Sequence, residues 1–256
     1  MLVHAASLAA DQIAVKYREG SLHGFLVLKS AEGETLASGD LTQAVSGYRV
    51  TTKLSFHFKD GSSIEETSIF TQRGTFRLLS DHLVQKGPAF KRPMDMMTNC
   101  STGQVTVNYT DDDGKEKTIN ERVKLTSDAA NGIVFTLMKN FRGDTRKTTL
   151  SMVVATPKPR VVKLIITPEG EDTFSVAGFE RKAMKYDVKV DIGGAAGLVA
   201  PIIGKQPPDT HIWIARGDAP IFLKSEGPMY EGGPIWIIEL SSPVWPQAPA
   251  ADSPKK

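Results

Sequence analysis

The sequence predicts an all-β protein, a large curved antiparallel sheet or half-open barrel of about a dozen strands with one short brace helix near 128–140. Three observations carry that prediction. Apolar and polar residues alternate strictly over long stretches, most cleanly Tyr48–Lys59 and Met184–Ile192. Turn signals recur at spacings of roughly 8–15 residues. No strand–helix–strand alternation appears, and no segment repeats at a fixed period.

Taken in order, Gln12–Tyr17 alternates and reads as a strand, and Glu19-Gly20 turns the chain into Leu22–Lys29. Glu32-Gly33 is the next turn, before Thr35–Leu41. In Tyr48–Lys59, Val50, Leu54, Phe56 and Phe58 share one face with Thr52, while Arg49, Lys53, His57 and Lys59 share the other. A strand with one wholly polar face belongs to an antiparallel sheet wetted on one side. Asp60-Gly61 then supplies the positive φ of a tight hairpin turn.

The meander is expected to continue through Ser63–Thr71, Gly74–Leu79 and His82–Lys86, with Pro88–Thr102 as a loop. Gly103–Thr110 and Lys117–Leu125 form a hairpin around Asp111-Asp112-Asp113-Gly114. From Ala129 to Met138 the apolar spacing becomes three and four residues, the period of a helix, with Ser127 or Asp128 placed to cap it. Strands resume at Thr148–Thr156 and Val161–Thr167, and Glu169–Asp172 reads as a turn into Thr173–Val176. His211–Ala215, Ile221–Lys224 and Pro234–Leu240 complete the set. Between Ile192 and His211 lies an unusual connector, Gly193–Pro208, which carries no charge until Lys205.

The chain has 256 residues, 31 basic and 29 acidic, so its charge gives no argument for nucleic acid. No stretch approaches the roughly 20 apolar residues of a membrane-spanning helix. A lone cysteine, Cys100, excludes an internal disulfide and a multi-thiolate metal site. Residues 1–9 look like the remnant of a secretory signal, ending in Ser7-Leu8-Ala9. An exported, periplasmic location is therefore expected, or a cytoplasmic one if that N-terminus is genuine. A single β-rich domain is expected over 10–240, and the proline-rich 241–256 tail is expected to be disordered.

Catalytic patterns are missing from the sequence. His4, His23, His57, His82 and His211 show no metal-ligand spacing. There is no Gly-x-Ser-x-Gly and no phosphate loop. Glu65 and Glu66 point to opposite faces of one strand and cannot form a dyad with each other. The consecutive aspartates suit a solvated turn better than a calcium loop. No catalytic residue, cofactor or metal is expected on these grounds. The apolar connector is the one candidate contact surface. Leu198, Val199, Ile202 and Ile203 are the residues placed to touch a lipid, an acyl chain or a membrane, with Trp213 on the strand that follows.

Val176-Ala177-Gly178-Phe179, the strand from Lys182 to Tyr186, Ile212-Trp213-Ile214 and Pro220–Lys224 together resemble the bacterial exported proteins of the domain-of-unknown-function 3108 family. That resemblance implies an envelope β protein with a curved sheet similar to those of lipoprotein carriers, and it brings no catalytic residues. The expected function is thus non-catalytic binding of a lipid or other hydrophobic ligand. The second expectation is an envelope assembly module that meets a protein partner through the 193–208 connector.

Overall fold

Fourteen strands pair antiparallel into one sheet whose spatial order runs out along the chain and then returns. In the computed structural model, residues 12–111, 113–154, 158–176, 179–193 and 207–241 are described. The outward run comprises β1 (Leu22–Ser30), β2 (Thr35–Ser46), β3 (Arg49–Phe58), β4 (Ser63–Arg73), β5 (Thr75–Lys86), β6 (Met94–Asn99), β7 (Gln104–Thr110) and β8 (Glu116–Arg122). A 3-10 turn (Asn131–Ile133) leads directly into the short helix α1 (Val134–Lys139). The chain then re-enters the sheet as β9 (Thr148–Val154), β10 (Arg160–Val176), β11 (Phe179–Asp191), β12 (Thr210–Ala215), β13 (Ile221–Pro228) and β14 (Ile235–Ser241). Among the described strands only the β1–β14 pairing joins strands distant in sequence, and it links the two runs, with Leu28 opposite Ile238. β8 and β9 end the strand order, so the sheet is strongly curved but not closed by pairing.

Several boundaries differ from the sequence reading. The strand count is fourteen, where about a dozen were expected. Gln12–Tyr17 contributes only an isolated bridge at Ala14, opposite Thr75. Residues 75–86 form one strand, not two. Inside the expected 88–102 loop lies β6, whose Met94, Met96 and Thr98 are buried. The expected turn at Glu169–Asp172 is a bulge within β10, where the register slips between Pro168 and Gly170. Asp128 does not cap the helix, because neither the 3-10 turn nor α1 has a side-chain cap.

Asp128 instead ties the brace to β9. Its carboxylate accepts the Ser151 hydroxyl at 3.0 and 2.9 Å and that of Thr126, and its carbonyl accepts the Ser151 N–H at 3.2 Å. The brace then enters the concave side. Ile133, Leu137 and Met138 pack with Val50, Phe70, Leu150 and Ile166 in the larger core. A second core, made of Leu28, Phe56, Ile64, Phe90, Trp236 and Ile238, fills the other end. Phe58, Phe90, Tyr230 and Trp236 meet there mostly edge to face, with centroids 5.3–6.1 Å apart. At the brace end, Asn140 accepts the N–H groups of Lys16 and Tyr17, and Lys139 pairs with buried Glu19 at 2.6 Å. The first described residues are thereby held against the helix.

Candidate functional site

Beside the second core, one row of inward-facing side chains is only half-buried. Strand register places Gly24, Leu41, Leu54, Glu66 and Leu83 side by side across β1–β5. All five are half-buried, although they share the concave face. The flanking row on the same face, Gln43, Thr52, Ser68, Asp81 and Thr98, is buried throughout. On the other flank Leu26, Gly39, Phe56, Ile64 and Gln85 are buried as well. The boundary between the cores is marked by Phe222, which packs on both and stacks on Phe135 of α1 at 4.4 Å. Leu22 and Leu240 are exposed, on the inward parity of β1 and β14, the pair that joins the two runs of the sheet.

Two carboxyl groups lie in these rows. Glu66 belongs to the half-buried row, and Asp81, 1% exposed, to the buried one. Gly132 of the brace lies against both. A methyl group on it would come within 2.2 Å of Ser68 Oγ, 2.8 Å of Glu66 Cδ and 3.0 Å of Asp81 Oδ1, so no side chain fits there. Asp81 accepts the Ser68 hydroxyl at 2.6 Å and the Gly132 N–H. Its second oxygen, Oδ2, is buried with no hydrogen-bond partner, as is Thr98 Oγ1 directly opposite it on β6. Burial pushes the Asp81 carboxyl up to about 6, against the pull of the Ser68 and Gly132 hydrogen bonds. Glu66 is raised well above the ordinary range, first by desolvation and then by the Asp81 charge. Both carboxyls therefore bind a proton more readily than free carboxylates do.

The residues singled out in the sequence fall elsewhere. Leu198, Val199, Ile202 and Ile203 lie outside the described residues. Trp213 is buried on the opposite, convex face, where it clusters with Ala183, Ala215, Leu223 and Phe174. Its indole N–H donates to Asp172 at 2.6 Å, and the Lys224 and Lys185 ammonium groups sit 4.8 and 5.6 Å from its ring centre. Asp111 shapes the hairpin turn as expected, since its Oδ1 accepts the N–H groups of Asp113 and Lys115. Cys100 is half-buried, and its thiol is pushed up to about 12 by burial and then by the Asp81 charge. Sequence reasoning missed the inward row because alternation shows that residues share a face but not which face is concave. The usable signal was Glu66, an acid on the same parity as Ile64 and Phe70.

No protein-family model matches the chain, and no curated protein matches it. The likeness to the 3108 family therefore stands only in its coarser form, a β-rich protein with a curved sheet. Among solved structures, a beta-barrel-like protein of the domain of unknown function DUF1849 from Brucella abortus is similar, at 10% identity and a TM-score of 0.49. The match covers 89% of this chain and 100% of that one. The fold described above rests on this chain's own strand pairing and takes nothing from that likeness. Among the described residues no helix is long and apolar enough to cross a membrane.

Proposed function

We propose that this chain is an exported, non-catalytic β protein that holds a single hydrophobic chain along the Leu41–Leu54–Glu66–Leu83 row. One observation carries the reading, namely that this inward row stays half-buried while the rows beside it are sealed. The rest of the concave face is filled by its own side chains, which favours a narrow ligand over a bulky one. From β2 to β5 the row spans about 14 Å at the usual strand spacing, the reach of one acyl chain. Micromolar affinity needs about 8 kcal/mol, or about ten buried methylenes at about 0.8 kcal/mol each before ordering costs. Glu66, with Asp81 behind it, favours a ligand head that donates hydrogen bonds or carries positive charge. Leu198, Val199, Ile202 and Ile203 of the connector, and Trp213, are proposed as further ligand or membrane contacts.

Delipidated protein mixed with a membrane lipid extract and examined by native mass spectrometry tests this. The expected result is a reproducible single-chain adduct that is lost in Leu54→Arg and weakened in Leu198→Asp. A clean unliganded mass across the extract would defeat it. The second reading, an assembly module, is favoured by β8, a strand edge without a partner strand among the described residues. Co-purification of a protein partner that is lost when Thr118→Pro blocks that edge would favour it instead.

A further inference from the structure

On the convex face, far in the strand order from the inner row, three side chains aim donor atoms at one point. Asp187 of β11 and His211 of β12 are direct cross-strand partners. Glu169 is the extra residue of the β10 bulge, between Pro168 and Gly170, and an extra residue re-aims its side chain relative to the normal alternation. The bulge brings Glu169 Oε2 to 3.5 Å from His211 Nδ1, and Asp187 Oδ1 lies 3.9 Å from the same nitrogen. All three donor atoms fall within 4.8 Å of one another.

Asp187 is only 8% exposed, yet its Oδ1 makes no hydrogen bond, and neither does the buried Nδ1 of His211. Leaving two such atoms unpaired is costly, and native structures rarely do so without a reason. A protonated imidazole bridging the two acids is the simpler arrangement, but 3.5 and 3.9 Å are too long for hydrogen bonds. They are close to what a metal ion requires. A tetrahedral ion with ligands about 2.0–2.2 Å away holds those ligands roughly 3.3–3.6 Å apart.

We propose that Glu169, Asp187 and His211 form a binding site for a divalent transition-metal ion of the zinc type, with the fourth position left to water. One imidazole and two carboxylates suit such an ion, whereas calcium takes six to eight oxygens. Two lysines compete for the acids. Lys185 lies 2.8 Å from Glu169 Oε2 and holds that carboxyl below its usual range, while Lys189 lies 3.7 Å from Asp187 Oδ2 and 3.4 Å from Asp209 Oδ2. Each lysine has another place to rest, Lys185 over the Trp213 ring and Lys189 on Asp209. Metal entry therefore displaces them without stranding a charge. A bound ion would pin the start of β12 to the β10 bulge, across β11.

Isothermal titration of the full-length chain with Zn2+ tests the site. The expected result is one ion per chain, with binding weakened at least tenfold in both Glu169→Gln and His211→Ala. His82→Ala, which removes a histidine paired to Asp95 elsewhere on the sheet, should titrate like the parent. Far-ultraviolet circular dichroism of each variant checks that the sheet is intact. Glu169 is exposed and His211 partly so, which makes these better probes than buried Asp187. No Zn2+ binding by the parent chain, or unchanged binding in His211→Ala, overturns the proposal.

Discussion

Asn131 closes the free edge of β9 on Val153. Its Nδ2 donates to the Val153 carbonyl at 2.9 Å and its Oδ1 accepts the Val153 N–H at 3.1 Å. One residue pair away, the Ser151 carbonyl accepts the Ala130 N–H at 2.8 Å, so the segment before the helix acts as a substitute strand. An uncovered edge is a template for pairing with another chain. Asn131→Ala should lower stability by about 1–3 kcal/mol and promote association. Urea denaturation and light scattering at several protein concentrations check both effects. An unchanged urea midpoint would remove Asn131 from this role.

Asp128 should matter more than its charged neighbour Lys163. The Asp128 side chain is wholly buried and receives two hydroxyl hydrogen bonds, whereas Lys163 is 43% exposed and stands 3.5 Å away. Lys163 also donates to Ser151 Oγ at 2.7 Å, so the group has the outline of a serine–lysine pair. Asp128→Ala is expected to cost about 3 kcal/mol, and Lys163→Met less than about 1 kcal/mol. Equal losses in the two variants, measured by urea denaturation, would contradict this ranking.

How much of this was legible depended on whether the signal was local. The alternation of Tyr48–Lys59 and Met184–Ile192 and the turns at Asp60-Gly61 and Asp111–Gly114 needed only neighbouring residues, and they are present as read. β6 was hidden because Pro88 and Pro93 precede it and methionine carries little strand preference. Glu169-Gly170 reads as a turn from sequence, and only the partner strand β11 shows that the chain runs straight through it as a bulge. Glu66 and Asp81 come together through the β4–β5 register and the brace laid over them, neither of which a single sequence displays.

The fit of Gly132 over that acid pair can be tested by adding one carbon. In Gly132→Ala the new methyl would lie 2.2 Å from Ser68 Oγ, which cannot swing away without leaving Asp81. A loss of about 1–3 kcal/mol is expected. Combined with Ser68→Ala, the loss should be smaller than the sum of the single losses, by about 0.5 kcal/mol or more. Strict additivity would mean that the brace does not seat where Gly132 touches Ser68.

Cys100 should be nearly inert in the folded protein. With its thiol pushed up to about 12, the thiolate fraction at pH 8 is about a thousandfold below that of an unperturbed cysteine. Thiol labelling should be slower by about that factor in buffer than in urea. A native rate within tenfold of the denatured rate would show that the burial is not maintained.

The acid pair also fixes the sign of the pH dependence. A carboxyl whose folded value lies above its unfolded value of about 4 binds its proton more tightly when folded. Its stabilisation is therefore fully present below about pH 4 and is lost as pH rises through the folded value, about 6 for Asp81. For Asp81 the loss is on the order of 3 kcal/mol, and Glu66 moves in the same direction. Carboxylates lowered by lysine partners, such as Glu65 beside Lys53 and Glu169 beside Lys185, act oppositely, but mostly below about pH 4.5. Between pH 4.5 and 6.5 the buried pair should dominate, and stability should fall as pH rises. Glu66→Gln mimics the protonated state, so it should match the parent near pH 4.5 and exceed it at pH 7 by on the order of 1 kcal/mol. Urea titrations at the two pH values read the difference directly. A variant that gains equally at both, or at neither, would show that Glu66 carries no excess proton affinity in the folded sheet.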